Sequence, residues 1–231
     1  EPIAHIDLHG LQKYFAADGS FIKQQGNDNS IRVVKTQSNT HGIGVNYKNL
    51  SYSTLKSMSV PAQVATKENK KSVLKAWTRS YQGLSSRYSD DPNGDREYAM
   101  VLYTQKLTNE DGSTFDAFVK GKTIEGSKGI DGITLSKSES PVEGWAASEA
   151  IHTHRWGDKS AVFSDEVGFG KKYAQGDIQT ALEMGITLYL VVPNHFWVQS
   201  FNAKIYNEKR ELMPHESAKS AATNKTAIYL E

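Results

Sequence analysis

Apolar runs and alternations mark most of the elements of this chain. "ITLYLVVP" (186–193) is apolar at nearly every position, the pattern of a strand buried on both faces. "HFWVQSFN" (195–202) follows with alternation. "EYAMVLYT" (97–104), "FDAFVKGKTI" (115–124), "GITLSK" (132–137) and "AASEAIHTH" (146–154) read as further strands. Residues 60–88 carry the main helix expectation. Ser59 can cap, Pro61 suits a first turn, and Val64, Val73, Leu74, Trp77, Tyr81 and Leu84 make a rough apolar stripe. "SDDPNGD" (89–95) then breaks the pattern. A second helix is expected over 177–185, with Asp177 as N-cap and Gly185 as stop.

The first 55 residues are dense in turn signals: "ADGS" (17–20), "GNDNS" (26–30) and "THGIG" (40–44). Between them, 14–34 reads as a hairpin-like piece and "SIRVVKT" (30–36) as a strand, while the tail 217–231 offers one edge strand. The order helix, strands, helix, strand predicts an α+β or α/β-like fold with its sheet in the C-terminal two thirds. The expected division is a β-rich extension or carrier-linker remnant over 1–55 and a main domain over 56–231.

Composition narrows the classes. The chain has 231 residues, 38% apolar and 23% charged, an ordinary globular balance. A formal net charge of +1 gives no electrostatic reason to expect nucleic acid as partner. No apolar run approaches the length of a membrane-spanning helix. The chain opens on Glu1 rather than Met, which reads as a mature or excised fragment. Cysteine is absent, so thiol nucleophiles, disulfides and Cys-ligated zinc are excluded. Nucleobase deamination by the zinc enzymes that need Pro-Cys-x-x-Cys is excluded with them. Any metal must be held by His, Asp, Glu and water.

Within that limit, "AIHTHRW" (150–156) stands out. On a strand, His152 and His154 face the same side. The pair alone is as compatible with a wet sheet face as with a metal. Its neighbours add weight: a Gly-rich loop (155–176), then Asp177 at a helix start, and Glu97 at the mouth of an earlier strand. Two His and one Asp leave a fourth position for water on zinc, and a nearby carboxylate can take that water's proton. The plainer readings are Asp177 as a helix cap only, and Glu97 as a surface partner of Arg96 or Lys106. Asp158, Asp165 and Glu166 read as loop solvation. His5, His9, His41, His195 and His215 show no partner pattern and read as structural or surface residues, and "HFW" (195–197) reads as strand packing.

The stretches "DREYAMVLYTQKLTNEDGSTFDAFVKG" (95–121), "SEAIHTHRWGDKSAVFS" (148–164) and "GDIQTALEMGITLYLVVP" (176–193) together resemble the JAB/JAMM metallopeptidases. More narrowly, they are similar to the JAB-like domains at the C-terminal ends of Rhs-type bacterial polymorphic toxins. The resemblance spans roughly residues 60 to 202. It implies a three-layer, cytidine-deaminase-like arrangement, a central mixed sheet flanked by helices. It also implies His152, His154 and Asp177 as zinc ligands and Glu97 as the glutamate that activates the attacking water. The family places a serine three residues before the aspartate, where this chain has Ala174. Ser164 is the nearest candidate, 13 residues before Asp177, with "DEVGFGKKYA" standing as an insertion between them. Arg155 stands where the family favours Pro. The N-terminal 14–34 is similar to segments that precede effector domains in large bacterial toxins.

The resulting expectation is a zinc-dependent hydrolase of peptide or isopeptide bonds. It would be secreted as a bacterial toxin or effector domain, acting on a protein or peptide substrate, with an immunity protein or toxin carrier as partner. The rival expectations are a non-catalytic JAB-like binding or scaffold module and a NAD-dependent transferase. For the transferase, "SYSTL" (51–55) offers a Ser–Thr pair, but no Glu-x-Glu follows late in the chain.

Overall fold

The structure is a computed structural model that describes residues 11–26, 28–36, 46–86, 89–130, 132–135, 139–155, 176–191, 197–202 and 226–229. Two compact units interleave along the chain. The first takes the described parts of Glu1–Asn69, Tyr103–Lys120 and Ser140–Ala146. The second takes those of Lys70–Leu102, Gly121–Glu139 and Ala147–Glu231. A split at 55/56, by contrast, is sequential.

In the first unit, β1 (Gln12–Phe15) and β2 (Phe21–Gln25) form an antiparallel hairpin, as the turn signal at 17–20 predicts. Asp18 Oδ1 accepts from both the N–H and the hydroxyl of Ser20, which closes the turn. Gly19 has φ +89, and a β carbon there would lie 2.2 Å from the Lys106 carbonyl oxygen, so only glycine fits. β3 (Ile31–Val34) runs parallel to β1. A helix, α1 (Tyr52–Met58), precedes β4 (Ser59–Val64), which pairs antiparallel with β3. Two further strands are β5 (Tyr98–Thr108), whose Tyr103–Thr108 part lies in this unit, and β6 (Thr114–Lys120). The strand order is β5-β6-β4-β3-β1-β2. Tyr14, Ile22, Val34, Tyr47 and Leu55 form the unit's buried cluster.

One sequence expectation fails here for an identifiable reason. Residues 59–64 are a strand, not the start of a helix. Val60 and Ala62 pair with Val33 and Ile31, and the β4–β6 ladder uses only Gln63 and Val64, so Pro61 removes no donor from it. The helix begins later, as α2 (Lys67–Tyr81), where Thr66 Oγ1 accepts the Asn69 N–H in the manner of an N-cap. "SYSTL" is the capped start of α1: Ser51 Oγ accepts the Thr54 N–H.

The second unit is the one that matters for the chemistry. Its elements are α2, the Tyr98–Leu102 part of β5, β7 (Ile124–Glu125), β8 (Ala146–Thr153), α3 (Asp177–Met184), β9 (Thr187–Val191), β10 (Trp197–Asn202) and β11 (Thr226–Tyr229). The strand order is β11-β10-β9-β8-β5, with β7 on the other edge of β5. β8 is parallel to β9 and antiparallel to β5. The chain is therefore mixed α/β with a mixed sheet and few helices. The expected strand at 132–137 is not one over its described residues, 132–135, which are irregular.

Alternation along β5 and β8 divides the residues between two faces. Tyr98, Met100, Ile151 and Thr153 share one face with Glu149. α2 covers it: the Tyr81 ring stacks 4.9 Å from Tyr98, and Lys70 Nζ pairs with Glu149 at 2.6 Å. The opposite face carries Ala99, Val101, Ala150 and His152.

Ile151 is fully buried at the middle of β8, opposite Met100 and beside Tyr189. Ile151→Ala should therefore lower unfolding stability by about 2–5 kcal/mol in urea denaturation. A loss under ~0.5 kcal/mol would mean that β8 is not packed as described.

Candidate metal centre

The register of β5 against β8 determines which polar groups meet. Ala99 lies opposite His152. Continuing that antiparallel register places Glu97, just before β5, opposite His154, on the same face as Ala99 and His152. Ala99, the cross-strand neighbour of His152, is small and buried. Thr153, pointing away between the two histidines, accepts the Tyr98 N–H on Oγ1 at 3.0 Å and ties the strand ends together.

Asp177 closes the group from the first turn of α3. It is not the N-cap, as the sequence suggested. Gly176 occupies that position and makes no side-chain cap bond, while the Asp177 carboxylate turns to the histidines. His152 Nε2 lies 3.2 Å from Oδ1, His154 Nε2 lies 3.2 Å from Oδ2, and the two Nε2 atoms are 3.1 Å apart. Gly185 ends α3 in the left-handed conformation, φ +66, as expected of a helix stop.

These distances fit a shared cation. Four donors held about 2.0–2.1 Å from a zinc ion stand roughly 3.3–3.4 Å from one another along the tetrahedron's edges. The Nε2–Nε2 separation of 3.1 Å lies near that, and each histidine has one oxygen of the Asp177 carboxylate at 3.2 Å, Oδ1 for His152 and Oδ2 for His154. Both imidazoles are buried, and the donors are two neutral-capable nitrogens and a carboxylate, a set that suits zinc and equally iron(II), nickel or copper. His152, His154 and Asp177 can thus hold a metal ion.

Charge favours the same conclusion. Burial alone would raise the Asp177 carboxyl, but the His152 and His154 imidazoles, by charge and hydrogen bond, hold it well below the usual range. Asp177 is therefore an anion at the N-terminus of a helix, where the dipole also favours it.

Glu97 is buried, at 6% exposure, so it is not a surface partner of Arg96 or Lys106. Lys106 pairs with Asp116 instead. Burial pushes the Glu97 carboxyl up, and the Asp177 charge adds to this. The two imidazoles and a hydrogen bond from Gly132 pull it back without cancelling the rise. The Gly132 N–H donates to Oε2 at 3.0 Å. Sequence reading missed Gly132, which it took as the first residue of the expected strand 132–137. Residues 156–175, with Asp158, Ser164, Asp165 and Glu166 and the loop expected there, and His5, His9, His41, His195 and His215 all lie outside the described residues.

Comparison of the chain with protein-family models, with curated proteins and with solved structures finds no match.

Two outcomes follow from the geometry. His152→Ala or His154→Ala should abolish zinc binding in calorimetric titration while leaving the circular dichroism spectrum unchanged, because the unit has its own core. Since protons compete with metal for imidazole, wild-type affinity should fall as the pH is lowered. Zinc bound at full stoichiometry by either variant would remove that histidine from the ligand set.

The raised Glu97 carboxyl gives the other. A raised folded-state value means that folding favours the protonated form, so the ionised carboxyl costs stability above that value. Below the ordinary value of 4.5 the cost is absent. Metal-free Glu97→Gln should accordingly melt higher than wild type near pH ~8, the gap closing as pH falls toward that value. A variant that melts lower throughout would mean that the carboxylate is stabilised, not strained.

Proposed function

We propose that this chain is a zinc-dependent hydrolase of peptide or isopeptide bonds, a JAB/JAMM-like domain acting within a secreted bacterial toxin or effector. The observation that carries this reading is the convergence of His152, His154 and Asp177 beside a buried Glu97 whose carboxyl is pushed up. Order along the chain supports it: Glu97 before β5, the two histidines at the end of β8, and Asp177 opening α3.

When bound by His152, His154 and Asp177, zinc supplies Lewis acidity toward the scissile carbonyl and lowers the pKa of water. Glu97 does the proton work. Its Oε2 is held by the Gly132 N–H, so the carboxylate presents its other oxygen in a fixed direction. It takes a proton from the attacking water and hands it to the leaving amine. A carboxyl raised toward neutrality is better matched to both halves of that exchange than an ordinary one. His152 and His154, buried at the end of the strand, keep bulk water from the ligand atoms. In this reading Ser164 polarises the carbonyl from the loop.

The test is Glu97→Gln, which keeps the side chain's shape and removes the base. Zinc content should stay at the wild-type level. Cleavage of a fluorogenic peptide panel and of a ubiquitin–lysine isopeptide should fall about 10²–10⁴-fold. Loss of zinc along with activity would make Glu97 a ligand. Full activity with full zinc would remove it from the chemistry.

A further inference from the structure

We propose that Arg155 and Asp95 are positioning residues for Glu97, acting through the backbone groups of Gly126, Gly129 and Gly132; this rests on the reading of Glu97 as the general base.

Arg155 follows His154 directly, and its guanidinium is buried, 7% exposed. A buried guanidinium needs an answering charge. Asp95 provides it, with Oδ1 3.4 Å from Arg155 Nε. Asp95 adopts φ +59, the left-handed region that few residues other than glycine enter, although Asp and Asn do so most readily. That conformation lets its N–H reach back to the carbonyls of Leu84 and Ser86, at 3.0 and 3.3 Å. Its own carbonyl then accepts the Gly129 N–H at 2.9 Å.

The same stretch of backbone touches Glu97 twice. The Gly126 N–H donates to the Glu97 carbonyl at 2.8 Å, and the Gly132 N–H to the Glu97 carboxylate at 3.0 Å. Arg96 Nη1 adds a bond to the Gly126 carbonyl at 3.3 Å. The approach is close at Gly126 and Gly129. A β carbon at Gly126 would lie 3.2 Å from the Glu97 carbonyl oxygen. One at Gly129, where φ is +75, would lie 3.4 Å from Arg155 Nη1 and 3.8 Å from Asp95 Oδ2. The segment thus rests on the ion pair at Gly129 and on Glu97 at Gly126 and Gly132. The residue after one metal-ligand candidate is tied to the residue two before the base, and Gly132 supplies an N–H bond to the base's carboxylate. Without the guanidinium, the support under Gly129 goes, and the Gly132 N–H loses its aim at Oε2.

The test uses Arg155→Met and, as a second variant should that one not fold, Asp95→Asn, which tolerates the same backbone conformation. Five quantities are measured on the 231-residue chain. They are the ¹⁵N–¹H signal and exchange rate of the Gly132 amide, affinity for zinc alone, and kcat and KM on the peptide or isopeptide probe. The Gly132 amide should move upfield and exchange faster in either variant, while the Gly19 amide of the other unit stays unchanged. Zinc affinity should stay within about threefold, because no ligand is touched. The value of kcat should fall roughly 10–100-fold with KM unchanged, the scale expected for a misaimed catalytic group. An unmoved Gly132 amide overturns the proposal whatever happens to activity. Zinc binding lost in step with activity overturns it as well, since the pair would then support the ligands. The amide readout needs no turnover. A chain that hydrolyses nothing would sink the hydrolase reading and leave the brace to be judged by Gly132 alone.

Discussion

The register between β5 and β8 is the constraint on which the rest of the site depends. Side chains alternate along a strand, so one residue of slip would turn His152 and His154 toward α2 and bring Ile151 and Thr153 to the site face. Two features oppose such a slip. Ile151 is fully buried on the α2 face, and Thr153 takes the Tyr98 N–H, a bond that exists only in this register. With it in place, Glu97 comes to lie across from His154 without any further instruction. Asp177 then needs only the first turn of a helix in the right place, and Gly185 and the β9 strand, parallel to β8, provide for that.

The site is built from groups that are costly to bury. Two imidazoles, a carboxylate on a helix start, a second carboxylate with a raised pKa and a guanidinium all lie within a few residues of one another in the fold. A protein interior tolerates such groups when each has a partner of matching charge or hydrogen-bonding capacity. Asp177 answers the histidines, Asp95 answers Arg155, and Gly132 answers Glu97. Concentrations of this kind usually mark sites of function, because folding alone would be served as well by apolar residues.

Much of this was legible in the sequence, and the exceptions are instructive. The strands at 146–154 and 186–193 and the helix at 177–185 carry strong local patterns, and the structure has β8, β9 and α3 within those limits. The pairing of His152 with His154 follows from alternation alone. What failed depended on distant partners. Residues 59–64 contain a proline and helix-compatible neighbours, and only the presence of β3 beside them makes a strand. "GITLSK" looks like a strand, yet Gly132 spends its N–H on a carboxylate 35 positions earlier in the chain. Asp177 sits where a cap belongs, and nothing local says that its carboxylate will prefer two imidazoles contributed by β8. Gly126 and Gly129 let backbone lie close to Glu97, Asp95 and Arg155, and Gly132 turns its N–H to Glu97, contacts that no local pattern records.

The most direct measurement is anomalous X-ray scattering at the zinc edge from crystals grown with zinc as the only added divalent ion. One strong peak should appear about 2.0–2.2 Å from His152 Nε2, His154 Nε2 and an Asp177 carboxylate oxygen. A zinc peak at other residues, or none here at saturating zinc, would contradict the assignment of these three side chains as a metal centre.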